Sequence, residues 1–274
     1  MKSGLPIKAL AAAALLAHSV AGHALEWSDN QVSVQRGLRF AEPGTTQPIR
    51  KNVYEFVHNS GDKLGTNLVL GQILESDMNY PAAGGGTGSQ EFYGFLRRTF
   101  SLSKLSGREF KFGSAQDTSL AFVFERDMLN TQFAPGKRAF AAGLAFDLPV
   151  THGFGVLNVY AYKERNYNGF TATEVNFDTA LMLHSAWSVP FTLGIPLNLV
   201  GDAKYITSKG KDGFGNGTKP EFRLHVELLT PVGKDTGLLV GVGYELWRNK
   251  YGTNQNVVPG AKQNTALLIA RYHF

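Results

Sequence analysis

The stretch Glu221–Leu229, with the sequence EFRLHVELL, decides the fold, because apolar and polar residues alternate along it. One row consists of Phe222, Leu224, Val226 and Leu228, and the other row consists of Glu221, Arg223, His225 and Glu227. Successive side chains of a β-strand point to opposite faces of the sheet. One face of this strand therefore meets an apolar medium, and the other face meets water.

The same period of two recurs along the chain, with interruptions at Gly, Pro, Asn and Asp that are typical of turns. After residue 24, no stretch approaches the roughly 18 apolar residues that a membrane-spanning helix requires. The alternation predicts an all-β protein. We predict strands at residues 30–40, 50–59, 64–73, 91–101, 118–126, 138–148, 154–165, 173–186, 193–206, 219–230, 237–248 and 263–274.

Twelve strands of this length favour an antiparallel transmembrane β-barrel, since bacterial barrels have an even number of strands of about 9 to 11 residues. Short connections such as 149–153 alternate with long polar ones such as 76–90 and 208–218. The chain ends on a strand whose Tyr272 and Phe274 share one face, and we expect Phe274 to engage the barrel-insertion machinery. A soluble sandwich would bury similar apolar rows, but the strand number and the terminal aromatic residue favour a barrel among outer-membrane lipids.

The first 24 residues are predicted to be a signal peptide that is removed, which leaves residues 25–274 as the barrel. Lys2 and Lys8 provide a positive start, residues 9–17 are apolar, and Gly22-His23-Ala24 forms a small-residue cleavage site. Cleavage after Ala21 is the alternative. This pattern predicts export through the periplasm to the bacterial outer membrane.

Composition argues against several other classes of protein. The chain contains no Cys, which excludes disulfide frameworks and Cys-based zinc sites. Without the leader, 25 basic residues face 22 acidic ones, so a nucleic acid polymer is not an expected partner. The seven His residues show no metal-ligand spacing, and the glycines of 84–88 lack the Lys-Ser/Thr ending of a phosphate loop. We therefore predict no metal, no cofactor and no nucleotide hydrolysis.

A selective channel needs polar side chains that point inward and bind a passing solute weakly. The predicted polar rows supply a lumen set of this kind. It consists of Glu55, Tyr93, Phe95, Arg97, Tyr160, Glu164, Asp178, Asp202, Lys204, Arg223, Glu227 and Glu245. Aromatic rings stack on a nucleobase and carboxylates accept hydroxyl protons, whereas the alternative role of these charges is to pair with one another and hold the barrel's shape.

Several ordered segments resemble the nucleoside-specific channel-forming Tsx family of outer-membrane proteins. They are Trp27-Ser28-Asp29, residues 49–54 (IRKNVY), residues 100–106 (FSLSKLS), Gly143-Leu144 with Asp147, residues 157–161 (LNVYA) and residues 166–169 (NYNG). The resemblance implies a narrow twelve-stranded barrel that passes nucleosides and related small solutes. It also implies that Arg39-Phe40 contact the solute. Strict alternation would place Phe40 in the outward row of Val32 and Val34, so only a bulge or the strand's end would turn it inward.

Two other functions remain open at this stage. His58 and Ser60 have the spacing of a base and a nucleophile on one strand face, which would suit an outer-membrane lipid hydrolase. That function requires the two side chains to lie within hydrogen-bond reach on the lipid-facing wall. A non-conducting structural or adhesive barrel would show the same alternation. We predict a channel for passive diffusion of small hydrophilic solutes, and no enzyme.

Overall fold

The computed structural model describes residues 25–234 and 236–274. The predicted signal peptide, 1–24, lies outside the described residues. Alternating segments form strands whose bounds are β1 Trp27–Phe40, β2 Ile49–Gly61, β3 Thr66–Ser76, β4 Gln90–Ser101, β5 Asp117–Leu129, β6 Gly136–Asp147, β7 Phe154–Asn168, β8 Thr173–Asn176, β9 Ala180–Leu193, β10 Ile195–Ile206, β11 Glu221–Pro231, β12 Leu238–Arg248 and β13 Gln263–His273.

Two short helices lie in connections between strands. Helix α1, Leu102–Ser106, begins where Ser101 accepts a hydrogen bond from the Lys104 N–H at 3.0 Å, and it ends at Gly107 in the left-handed conformation. A 3₁₀ turn spans Lys250–Gly252. Among the residues that the structure describes, no helix is long and apolar enough to span a membrane.

The sheet closes on itself, which confirms the predicted twelve-stranded antiparallel barrel. Each long strand pairs with its neighbours along the chain, and β1 pairs with β13 from Gln31 opposite His273 to Gly37 opposite Leu267. The short strand β8 pairs only with the end of β7 and lies outside this ring. Closure gives every long strand a partner on both sides, so none of them is left as an open edge.

One predicted strand, 173–186, is wrong in its bounds. The structure divides it into β8 and β9, because Phe177 to Thr179 leave the sheet, and β9 continues to Leu193 before the turn at Gly194. Pro190 is of a residue type that is uncommon inside paired strands, yet it lies within β9. The other predicted bounds agree with the structure to within three residues.

The two ends of the barrel differ. The end at which β1 begins and β13 ends, here called the terminal end, has the connections 62–65, 102–116, 148–153, 194 and 232–237. The opposite end, here the loop end, has the connections 41–48, 77–89, 130–135, 169–179, 207–220 and 249–262. Apart from 102–116, the longer connections lie at the loop end, which is the pattern of periplasmic turns and extracellular loops in outer-membrane barrels.

The outside of the barrel is apolar and the inside is polar. Outward side chains such as Phe124, Phe140 and Leu268 are 45%, 53% and 64% exposed. Tyr272 and Phe274 are also exposed, and their rings stack at 6.1 Å between centroids. An exposed apolar band with aromatic residues near the strand ends is typical of a lipid-facing surface.

The turn between β2 and β3 is held by Asp62. Arg98 binds its carboxylate through Nη1 and Nη2 at 2.8 and 3.0 Å, and Oδ1 accepts the N–H groups of Leu64 and Gly65. The hydrogen bond from Arg98 and those from the turn lower the pKa of Asp62 from 3.8 to about 2. The folded state thus favours the ionised carboxylate.

We expect Asp62→Asn to lower the free energy of unfolding by about 1–2 kcal/mol, because hydrogen bonds to a charged group are lost. A depressed pKa stabilises the folded state above the unfolded value and ceases to do so as the pH falls through the folded value. The difference between wild type and variant should therefore be full above about pH 4 and should shrink towards pH 2. Urea titrations in detergent across this range measure it, and a difference independent of pH would contradict the assignment.

Candidate functional site: the barrel lumen

The barrel encloses a cavity of about 740 Å³. It extends from Trp27 and Phe154 at the terminal end to Glu42 and Lys250 beneath the loops. Eleven of the fourteen predicted channel residues line it, namely Phe40, Glu55, Tyr93, Phe95, Arg97, Tyr160, Asp202, Lys204, Arg223, Glu227 and Glu245. Their contact with a solute stays a prediction.

One side of the lumen, here the paired wall, is covered by linked charges on β10 to β13 and β2. Its members are Asp202, Arg223, Glu245, His225, Glu227, Arg271 and Glu55. Arg223 binds Asp202 at 3.0 Å and Glu245 at 2.7 Å. Arg271 binds Glu227 at 2.8 Å, while His225 contacts Glu227 at 3.0 Å. Each of these charges has an opposite charge within 4 Å, although Arg271 Nε, His225 Nδ1 and Glu227 Oε2 make no hydrogen bond among the described residues. The paired wall therefore fits a role in holding the barrel's shape.

Glu55 continues the paired wall onto β2. Its carboxylate accepts hydrogen bonds from Gln72 at 2.6 Å and Ser33 at 3.2 Å, and Arg271 lies 3.7 Å away. Elsewhere in the lumen, Lys137 on β6 binds Glu125 on β5 at 2.6 Å, and Lys204 on β10 lies 3.5 Å from the same carboxylate. Lys204 is thus engaged by a residue that the sequence analysis did not single out.

A second side of the lumen, here called the open wall, consists of Phe95, Arg97, Asp147 and Tyr160. Nε and Nη1 of Arg97 are buried without a hydrogen-bond partner in the described part of the chain. Tyr160 donates a hydrogen bond to Asn158 at 3.1 Å, and Phe95 lies 6.3 Å from the His184 ring. Unpaired buried donors are uncommon in folded proteins and indicate a missing partner such as water, an ion or a solute.

A bulge turns Phe40 into the lumen. Gly37 pairs with Lys51 and Phe40 with Ile49, so Leu38 and Arg39 lie opposite a single residue of β2. Gly37 makes this possible, since a Cβ there would overlap the Phe40 ring. Phe40 therefore lines the cavity. Strict alternation along β1 would have placed it outside, whereas the resemblance to the Tsx family implies an inward position.

Three predicted lumen residues do not line the cavity. Arg39 lies in the bulge and is exposed, because the extra residue turns Phe40 rather than Arg39 inward. Asp178 lies between β8 and β9, where the chain leaves the sheet, and it is exposed at the loop end. Glu164 points inward, but Lys209 at 2.6 Å and Tyr162 at 2.9 Å enclose its carboxylate.

A buried group of charges at the loop end, here the loop-end cluster, consists of Glu42, Lys51, Glu91 and Lys250. Glu42 accepts hydrogen bonds from Lys51 at 2.6 Å and Lys250 at 2.9 Å, and Lys51 also binds Glu91 at 3.1 Å. Lys250 donates to the Ala41 carbonyl at 2.9 Å. The cluster ties the loops 41–48 and 249–262 to the barrel wall.

Aromatic rings surround the lysines of the loop-end cluster. Lys51 lies 5.7 Å from the Phe40 ring centroid and 5.6 Å from that of Tyr80, and Lys250 lies 4.6 Å from that of Trp247. Burial alone would raise the pKa of Glu42, but Lys250 and Lys51 outweigh it and lower that pKa. The carboxylate therefore stays ionised at neutral pH.

The sequence analysis missed the loop-end cluster. Lys51 belongs to the inward row of β2 with Val53 and Glu55, so alternation could have identified it. Glu42 and Lys250 lie in connections between strands, where no period indicates direction. A second buried pair, Lys209 with Glu164, ties the connection 207–220 to β7 in the same way.

The outer wall carries the residues of the hydrolase alternative. His58 Nε2 lies 3.1 Å from Ser60 Oγ, and Asn30 Oδ1 lies 2.8 Å from His58 Nδ1. Asn30 is directly opposite His58 on β1, so the pairing register supplies the third residue that the sequence did not reveal. Ser60, however, is only 1% exposed, and its hydroxyl also accepts a hydrogen bond from Asn67 at 3.3 Å.

We expect Glu42→Gln to release the loops 41–48 and 249–262, because removing one partner of a buried ion pair costs about 3–5 kcal/mol. Amide hydrogen exchange in both loops should accelerate by about tenfold or more. Glu26→Gln, which removes a carboxylate from the exposed pair with Lys104, is the matched control and should leave the loops unchanged. Equal exchange in the two variants would show that the cluster does not hold the loops.

No model of a known protein family matches the chain, and no curated protein sequence matches it. Solved structures with a similar fold include the KdgM porin, at 10% identity and a TM-score of 0.45 over 89% of this chain and 99% of that one. The translocator domain of the autotransporter NalP from Neisseria meningitidis has 10% identity and a TM-score of 0.45 over 97% and 95% of the two chains. OccK8 from Pseudomonas aeruginosa has 10% identity and a TM-score of 0.31 over 91% and 98%. Likenesses this weak say nothing about cargo or chemistry.

Proposed function

We propose that this protein is a channel of the bacterial outer membrane through which small hydrophilic solutes diffuse passively. One observation carries the proposal: a closed barrel has an exposed apolar outside and a cavity of about 740 Å³ lined by charged and aromatic side chains. Such a distribution suits a wall in lipid around an aqueous path. The exposed Tyr272 and Phe274 at the end of β13 are where we expect the barrel-insertion machinery to bind.

The open wall is the part of the lumen suited to solute binding. Nε and Nη1 of Arg97 have no hydrogen-bond partner in the part of the chain that the structure describes, and the Phe95 and Tyr160 rings line the same cavity. A ring stacked on a nucleobase contributes about 1–3 kcal/mol in nucleic acid complexes. In the paired wall, in contrast, Arg223 and Arg271 each lie within 4 Å of two carboxylates.

The charge balance of the lumen favours neutral cargo over anionic cargo. Eleven carboxylates and eight Lys or Arg side chains line the cavity, so the lumen offers an anion no excess of positive charge. Nucleosides are uncharged and combine a stacking base with ribose hydroxyls. Together with the resemblance to the Tsx family, these features support nucleosides as the cargo.

Buried ion pairs lie at the loop end of the lumen. Glu42 and Lys51 side chains are each 2% exposed, and Lys209 closes over Glu164 in another sector. A solute that crosses the barrel must displace or pass these clusters. We therefore expect small conductances rather than the large currents of a wide pore.

In planar bilayers, purified protein should show small conductance steps that adenosine or thymidine reduces. Arg97→Ala should raise the nucleoside concentration for half-reduction by about tenfold, equivalent to about 1.4 kcal/mol, because a donor of the open wall is lost. Lys104→Ala is the matched control: it removes one positive charge from the cavity lining at the terminal end, where Lys104 pairs with Glu26.

The possible outcomes separate the parts of this proposal. Absence of current from folded, reconstituted protein would overturn the channel. Currents that neither nucleoside reduces would support the channel and contradict the nucleoside specificity. Equal effects of Arg97→Ala and Lys104→Ala would assign the change to lumen charge rather than to the open wall.

A second candidate function, hydrolysis of a lipid ester at the outer wall, is favoured by the row Asn30–His58–Ser60. A hydroxyl, an imidazole and an orienting amide within 3.1 Å and 2.8 Å of one another match the roles of nucleophile, base and orienting group. The burial of Ser60 argues for the structural role of this row, since a lipid ester must reach Oγ. The channel therefore remains the first proposal.

We expect wild type and Ser60→Ala to have the same background activity towards phospholipid and lipid A in mixed micelles. Ser103→Ala changes a serine elsewhere at the terminal end, and it is the matched control for differences between protein preparations. Ester cleavage by wild type and by Ser103→Ala that disappears in Ser60→Ala would establish the hydrolase instead.

A further inference from the structure

Three arginines lie side by side on the outer wall near the loop end. Arg126 on β5 is directly opposite Arg138 on β6, and Arg138 is directly opposite Arg165 on β7. All three belong to outward rows: Arg126 follows Phe122 and Phe124 in alternation, and these phenylalanines are exposed. We refer to these residues as the arginine row.

The arginine row carries more positive than negative charge. Glu174 on β8 binds Arg138 and lies 3.8 Å from Arg165. Arg126 has no ion pair or side-chain hydrogen bond among the residues of 25–234 and 236–274. Like charges directly opposite one another destabilise a sheet, so three guanidinium groups beside one carboxylate favour binding of a further anion.

An apolar groove adjoins the arginine row. It has a volume of about 630 Å³, and its lining includes Arg126 and Arg138 as well as Ile73, Phe92, Met128 and Tyr167. On the outside of a barrel, such a groove contacts hydrocarbon chains rather than a solute in transit. The surface thus combines sites for an anionic group and for an apolar chain.

The position of the row suits the headgroups of a lipid leaflet. Phe124 and Phe140, which are opposite each other, lie two residues from Arg126 and Arg138 towards the middle of the barrel. Outward aromatic residues mark the border between hydrocarbon and water. If the loop end is extracellular, as the proposed function requires, the row faces the outer leaflet.

We propose that the arginine row and its groove bind a phosphorylated lipid of the outer leaflet, of the lipid A class. Arginine binds phosphate oxygens with two parallel hydrogen bonds, and two neighbouring guanidinium groups hold one phosphate. An acyl chain of the same lipid lies in the groove beside Phe92 and Met128. This site rests on the proposed outer-membrane location but not on conduction.

Binding is tested with folded protein in detergent micelles by native mass spectrometry, with hexa-acylated lipid A carrying two phosphates as the probe. The double variant Arg126→Gln/Arg138→Gln should raise the apparent Kd by about tenfold or more. Arg39→Gln/Arg50→Gln is the matched control, since it removes two exposed outer charges at the loop end of β1 and β2. Its Kd should stay within about twofold of the wild-type value. The single variant Arg126→Gln breaks no ion pair, so it tests the site without disturbing the fold. It should show an intermediate loss of affinity for lipid A.

Lipid A without phosphates should bind the wild-type protein as weakly as phosphorylated lipid A binds the double variant Arg126→Gln/Arg138→Gln. Equal affinity for both lipids, or equal loss in the two double variants, would overturn the proposal. Displacement of the lipid by millimolar sodium phosphate alone would also overturn it, since the site would then be a simple anion site. Conductance of the row variant is measured in parallel: normal currents with lost lipid binding separate this site from the channel, and lipid binding without currents would refute only the channel.

Discussion

Closure of the sheet between β1 and β13 is the constraint on which the rest of this structure depends. In hydrocarbon, each unpaired backbone N–H or C=O is costly, and only a closed barrel satisfies all of them with strands. Because the ring closes, each of its twelve strands has one face towards lipid and one towards the lumen. The alternation in Glu221–Leu229 reflects these two environments. Arg223, Glu227 and Leu229 belong to the row that lies inside.

Inside the barrel, the division between the paired wall and the open wall decides what the lumen can bind. Arg223 and Arg271 are each held between carboxylates, which stabilises the shape and leaves little capacity for a solute. Within the described residues, Arg97 has no carboxylate bound to it, and it lies beside Phe95 and Tyr160. The free energy available for recognition is therefore concentrated on β4 and β7, away from most of the lumen's charge.

The sequence predicts the barrel and most of the lumen, because alternation reports direction wherever the chain is a regular strand. It fails where regularity ends. Phe40 turns inward through a bulge at Gly37, Asp178 leaves the sheet, and Glu42 and Lys250 lie in loops whose direction depends on tertiary contacts. Alternation also does not reveal pairing across strands, so the Asn30–His58 contact and the arginine row required the register of the sheet.

The bond between Glu42 and Lys250 joins residues 208 positions apart in the chain. Such a long separation carries a large closure entropy, so this bond becomes favourable only once the first and last strands have met. The loops beside that seam are also linked directly, from the Gly44 N–H to the Pro259 carbonyl. The loop-end cluster is consequently complete only after assembly: in a half-inserted chain Glu42 has the nearby Lys51 of β2 as a partner, and closure of the barrel brings Lys250 to it as well.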